Sequence, residues 1–188
     1  MTEENTLFIT ERSEWRNWLE KNFSSAKEIW LVYPGKSTGK KRILHNDAVE
    51  EALCFGWIDS NVKTLDKDHV IQRFTPRKRN SKYSQANKER LKWLLEKKKI
   101  HSSLVKEVEG IVSEEFKFPP DIINAINKDK RVLENYNSFS EAYKRIRIAY
   151  IDGARNRPEE FNRRLTNFIK KTGEKKLIKG HGGIDKYY

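Results

Sequence analysis

The double proline Pro119-Pro120 constrains this chain more than any other feature. A proline ring removes a backbone N–H and pushes the residue before it away from helical angles, so no helix runs through the pair. Beyond it every apolar pattern has helical spacing, whereas helical and strand-like periods alternate ahead of it. The fold class implied is α+β. Residues 1–118 are expected to form a small antiparallel sheet of about three strands packed with helices, and 119–172 an all-helical part. The glycine-rich end, 173–188, is expected to be mobile unless its tyrosines dock.

In the first part, "ERSEWRNWLEKNF" (residues 11–23) sets Trp15, Trp18, Leu19 and Phe23 at three-to-four spacing, an amphipathic helix with Thr10 or Ser13 as its cap. "EIWLVYPGK" is a β-rich apolar run closed by Pro34-Gly35, which predicts a buried strand and a turn. Gly35-Lys36-Ser37 imitates the end of a phosphate-binding P-loop, but Trp30 stands where that motif needs another glycine, so the segment is a basic loop. Asp47 and Glu50 have capping-box spacing at the head of a helix with Ala48, Val49, Ala52, Leu53 and Phe55 on its apolar face. Gly56 fits the left-handed position that stops such a helix. "WIDSNVKT" and "HVIQRF", joined by "LDKD", predict a hairpin. Ser84 then caps a helix carrying Leu91, Trp93, Leu94 and Leu95, and 101–118 reads as a further helix and a linker.

In the second part "DIINAIN" is a short helix. Ser138 and Glu141 form a second capping-box pair ahead of "EAYKRIRIAYIDGA", and Pro158 takes the first position of "PEEFNRRLTNFIKK", which Thr172-Gly173 ends.

The net charge is +12 and it is clustered: residues 76–100 and 144–188 each carry about +8, while the rest is near neutral or slightly acidic. Two basic blocks attract phosphate-rich partners or anionic surfaces if they share a face; the competing reading is an ordinary solvated surface. No apolar run approaches the roughly 18 residues of a spanning helix, and "MTEENTLFIT" lacks the layout of a secretory signal. A cytoplasmic protein without membrane attachment is expected. One cysteine and four scattered histidines supply no zinc constellation, and no metal or cofactor site is expected.

The chemistry-bearing residues are few. Cys54 as a nucleophile requires His45, His69, His101 or His181 as its base, but it lies near the C-terminal end of a predicted apolar helix, where the dipole opposes a thiolate; a buried structural thiol is the better reading. Asp59 follows the apolar pair Trp57-Ile58 and needs a partner, for which Arg73 and Arg77 are the natural cations, either as a structural ion pair or as one edge of a pocket. "TPRKRNSKYSQANKER" delivers Arg77, Lys78, Arg79 and Ser81 toward a helix start, a setting that favours an anion, and Asn87 adds a polar group or simply faces solvent. Arg145, Arg147 and Arg155 lie on a later helix; 145 and 155 are some 80° out of register, so a shared patch is allowed but not required. No catalytic residue is assigned.

"EALCFGWIDS", "QRFTPRKRNSKYSQANKERLKWL" and "YKRIRIAYIDGARNRPEEFNRRL" resemble the signature blocks of the YdeI/OmpD-associated, or bacteriocin-protection, family, over about residues 11–172. Tyr83 stands where the family usually has tryptophan, and Glu159-Glu160-Phe161 replaces an "ETR"-like step. The resemblance implies an α+β fold grouped with small proteins of the frataxin-like type and a link to bacteriocin or cationic-peptide resistance and to an outer-membrane porin. The missing signal sequence argues against the porin association, and a cationic protein repels cationic peptides, so an indirect role in tolerance is expected. The preferred function is a non-catalytic binding protein for a small anionic ligand, with Asp59, Arg73, Arg77, Ser81, Asn87, Arg145 and Arg155 as candidate contacts. Its rivals are a nucleic-acid-binding protein using both basic blocks, and an enzyme acting on a phosphorylated or carboxylated small molecule with Asp59 as acid or base.

Overall fold

The computed structural model describes residues 5–78 and 81–188, except for the side chains of Lys36 and His181; Arg79 lies outside the described residues. The chain forms two compact units, one of residues 1–82 and 91–109, the other of 83–90 and 110–188. Helices α3 (Gln85–Glu96) and α4 (Val105–Ser113) contribute to both.

The first unit runs β1 (Thr6–Phe8), α1 (Arg12–Asn22), β2 (Ile29–Pro34), α2 (His45–Cys54), β3 (Trp57–Thr64) and β4 (His69–Pro76). The sheet order is β1-β2-β4-β3, with β1 parallel to β2 and the other pairs antiparallel. The sheet is therefore mixed and four-stranded, not antiparallel with three strands. Its extra strand has three residues, too few to show a period, and α1 is the crossover that a parallel pair needs. The hairpin and the strand after Glu28 form where their periods place them.

Register sorts the side chains. Ile29, Leu31 and Tyr33 pair with Phe74, Gln72 and Val70, and therefore share one face. Helices α1 and α2 cover it: Trp15 packs edge-on against Phe74 at 5.4 Å, and Trp18 against Trp57 at 5.7 Å. The indole N–H groups are satisfied inside, Trp15 donating to the carbonyl of Ala48 and Trp57 to that of Phe23, both at 3.0 Å. Gly56 has φ +71, and a Cβ there would sit 3.3 Å from Leu104, so α2 ends and the chain turns into β3 where only glycine fits without strain.

Two caps differ from expectation. At α1 the N-cap is Glu11, and the Glu14 carboxylate accepts the N–H groups of Thr10 and Glu11 at 3.1 Å. At α2 the N-cap is Leu44, with no side-chain cap, because Arg12 takes the expected capping carboxylates: it lies 2.9 Å from Asp47 and 2.7 Å from Glu50. A charged guanidinium is a stronger partner than a backbone amide.

The second unit contains α5 (Pro120–Asn127), α6 (Lys130–Asn137), α7 (Glu141–Asp152) and α8 (Pro158–Gly173). Its core is built from Ile122, Ile126, Val132, Tyr143, Ile148 and Phe168. Ser140, not Ser138, caps α7, accepting the N–H of Tyr143 at 3.2 Å; Ser138 closes α6 instead, donating to the carbonyl of Asn135 at 2.7 Å. The tail docks: Tyr188 meets Tyr143 edge-on at 4.8 Å, and Arg147 donates to the Tyr188 hydroxyl and to the carbonyl of Ile178. Gly180 permits the fold-back, since a Cβ there would lie 1.6 Å from the Ile184 side chain. No helix among the described residues is long and apolar enough to cross a membrane.

Candidate functional site

Four of the residues singled out above belong to the first unit. Asp59 pairs in register with Phe74, so Arg73, one residue away on β4, points to the opposite face and cannot be its partner. Arg73 binds Glu28, with Nε donating at 2.9 Å, and holds that carboxyl below its usual range. Asp59 accepts instead from the buried amide of Gln72 at 2.8 Å and lies 3.5 Å from the His45 ring. Arg77 is taken up by its own loop, donating to the carbonyls of Ser81 and Lys82 at 3.2 and 3.1 Å, and Ser81 donates to the carbonyl of Lys78 at 2.8 Å.

The other three belong to the second unit. Asn87 accepts from Arg90 at 2.9 Å, while its N–H meets the cap Ser84. Arg145 is clamped by the buried Glu89 through two N–H groups, at 2.6 and 3.0 Å. Arg155 bridges Asp121 and Asp152, and its hydrogen bond lowers the Asp121 carboxyl below the ordinary range. Each of these three side chains turns to a different partner.

Cys54 is fully buried. Burial, and then the negative charge of Glu51, pushes its thiol up to about 12, and the cations acting on it are Arg16 and Arg12. His101 reaches it only through the backbone, donating its N–H to the Cys54 carbonyl at 3.0 Å. This is a structural thiol. Glu50 and Glu51 are equally buried and hold Arg12 and Arg16 in an ion cluster, with contacts of 2.5 to 2.7 Å. Among the described residues no group of three His, Cys, Asp or Glu side chains is placed to hold a metal.

A cleft of about 880 Å³ lies wholly within the second unit. The first turns of α3, the facing sides of α7 and α8, and the docked tail form its walls. Ile146, Ile151, Phe168 and Ile184 make it apolar, and Arg90, Arg147, Arg163, Arg164 and Lys179 supply cations, with no carboxylate among the described residues of the lining. Arg147 is only 8% exposed, lies 5.5 and 5.4 Å from the ring centres of Tyr143 and Tyr188, and has a buried Nε without a hydrogen-bond partner among the described residues. Arg164 stacks 3.7 Å above the Tyr150 ring centre. Glu160 serves both Arg164 and Arg163, at 2.6 and 2.5 Å, and these two hydrogen bonds keep its carboxyl ionised well below the usual range. One carboxylate shared between two guanidiniums leaves the rim positive.

A family model described as "Bacteriocin-protection, YdeI or OmpD-Associated" matches residues 115–175, the segment that supplies α7 and α8 to this cleft, and one described as "Domain of unknown function (DUF8412)" matches residues 7–107. The chain belongs to the DUF8412 family, and its C-terminal part is YdeI/OmpD-associated. The two matches fall in both units of this DUF8412 protein and leave residues 176–188 outside them. Comparison with curated proteins and with solved structures gives no match.

Sequence reasoning named Arg147 but passed over Arg90, Arg163, Arg164 and Lys179. The signal was present as two basic blocks, but which of their side chains converge depends on helix packing. Gln72 left a clearer trace, as a lone polar residue at an inward position between Val70 and Phe74.

Proposed function

We propose that this protein is a non-catalytic binding protein for an anionic amphiphile, a carboxylate, sulfonate or phosphate head on an apolar body, held in the cleft of the second unit. The observation that carries the reading is the combination, among the described residues, of an apolar interior with five lining cations and no lining acid. The cavity volume falls in the range of about 300–1,000 Å³ usual for small-molecule sites, and a few placed charges in an apolar wall fix the orientation of such a ligand. Arginine suits the head because its planar fork meets two anionic oxygens at once. The bacteriocin-protection description attached to the C-terminal family supports a role in tolerance that runs through the bound ligand, since a protein of net charge +12 repels cationic peptides.

The test is a fluorescence titration of the full chain with 8-anilinonaphthalene-1-sulfonate, competed by dodecyl phosphate. Saturable binding at one site, displaced by dodecyl phosphate and weakened about tenfold in an Arg163→Ala/Arg164→Ala double variant, is expected. A labelled oligonucleotide that binds with a salt slope of several units and displaces the dye would replace this reading with the nucleic-acid one.

A further inference from the structure

The first unit has a smaller cavity of its own, of about 220 Å³. It lies where the helix-covered face of the sheet runs out beside the first turn of α2. Tyr33 and Val70 stand opposite each other there, as do Val62 and Gln72. The irregularity in β3 between Asp59 and Val62 matters: three residues apart, they would face opposite sides in a regular strand, but the bulge brings both to this face.

Independent features point to a ligand. Tyr33 lines the cavity and is 6% exposed, yet its hydroxyl is buried with no hydrogen-bond partner among the described residues. Buried hydroxyls are nearly always paired, so an unpaired one facing a cavity marks a donor in need of an acceptor. Burial, and then the charge of Asp59, keeps this phenol protonated, so it can donate. Helix α2 begins at the same cavity, with the N-cap Leu44 and His45 in the lining and no side-chain cap hydrogen bond, and a helix N-terminus favours an anion. Arg42 adds a guanidinium that spends one N–H on the carbonyl of Pro34. Asp59 is absent from the lining, and its carboxylate is already engaged by Gln72. At the mouth, Leu44 and Val62 stand 67% and 61% exposed, apolar surface that a ligand would cover.

We propose that this cavity binds a short aliphatic carboxylate. Its carboxylate accepts from the Tyr33 hydroxyl beside the start of α2, and its hydrocarbon body lies against Ile43, Val62 and Val70. At about 30 Å³ for each water-sized group the space holds about seven non-hydrogen atoms, and its apolar wall selects against an inorganic ion. The site is distinct from the cleft of the second unit and does not depend on it.

The probe is sodium 3-methylbutanoate, titrated into the full chain by calorimetry, with 3-methylbutanamide and inorganic phosphate as comparisons. One saturable site is expected, with the amide at least about tenfold weaker. Tyr33→Phe should weaken binding by about tenfold or more while leaving the thermal midpoint unchanged or raised, because the hydroxyl it removes has no partner among the described residues. Val62→Phe, at the exposed mouth, should block entry, and Arg163→Ala/Arg164→Ala should change nothing. The proposal falls if 3-methylbutanoate shows no saturable binding, if Tyr33→Phe or Val62→Phe binds like the wild type, if phosphate binds as tightly, or if the double arginine variant abolishes the site.

Discussion

The two units carry similar net charge, about +5 and about +7, but use it differently. In the first unit cations are drawn against acids: Arg12 and Arg16 lie on buried Glu50 and Glu51, and Arg73 on Glu28. In the second, α7 and α8 turn cations toward an apolar cleft whose lining has no acid among the described residues. Basic composition is therefore no guide to a binding surface until the acids are located. The aromatic residues divide as well, since all five tryptophans belong to the first unit and six of the seven tyrosines to the second.

That division offers the strongest way to break the comparison. Trp57→Ala and Phe168→Ala each open a core and should cost about 3–5 kcal/mol in chemical denaturation. Tryptophan fluorescence reports the first unit alone, so Trp57→Ala should shift the tryptophan-detected transition and Phe168→Ala should leave it in place. A shift with Phe168→Ala would mean that the units unfold as one.

The charge contrast gives a smaller effect. Glu51→Gln takes the buried carboxylate from Arg16 and leaves Arg12 to Glu50 and Asp47; it should cost about 3 kcal/mol, read from the same denaturation curves. Glu160→Gln removes a surface partner of Arg163 and Arg164; it should leave stability unresolved from wild type and tighten the binding of 8-anilinonaphthalene-1-sulfonate. Equal destabilisation by the two would erase the difference between the units.

The smallest effect belongs to Cys54. Its thiol is raised in the folded chain from the ordinary value near 9.0 to about 12. Because the folded value is the higher, the contribution is fully present below the unfolded value and is lost as pH rises from there toward about 12. Alkaline thermal melts should show this loss in the wild type and less of it in Cys54→Ala. The native thiol should stay unreactive to a disulfide reagent at pH 8 until the first unit unfolds.

Much of this fold is written locally. The helix start at Pro120, the glycine that stops α2, the "LDKD" hairpin and the Pro158 helix start each depend on a few adjacent residues, and each forms where those residues place it. The caps of α1, α2 and α7 were less legible, because several Ser, Asp and Glu side chains compete and a distant guanidinium decides at α2. Strand β1 was illegible, being defined by its partner and not by its own three residues.

The candidate sites lie at the far end of that scale. Sequence alone established an α+β chain with two basic blocks, a buried thiol and an aspartate in need of a partner. Only the tertiary structure decided that Asp59 meets Gln72 and not Arg73, because strand pairing sets which face a side chain takes, and one residue of register reverses it. It likewise decided that Arg90, Arg147, Arg163 and Arg164 line one cleft, and that Tyr33 lines another with a hydroxyl that has no partner among the described residues. Convergence of side chains far apart in sequence depends on how helices and strands pack, and local spacing does not encode it.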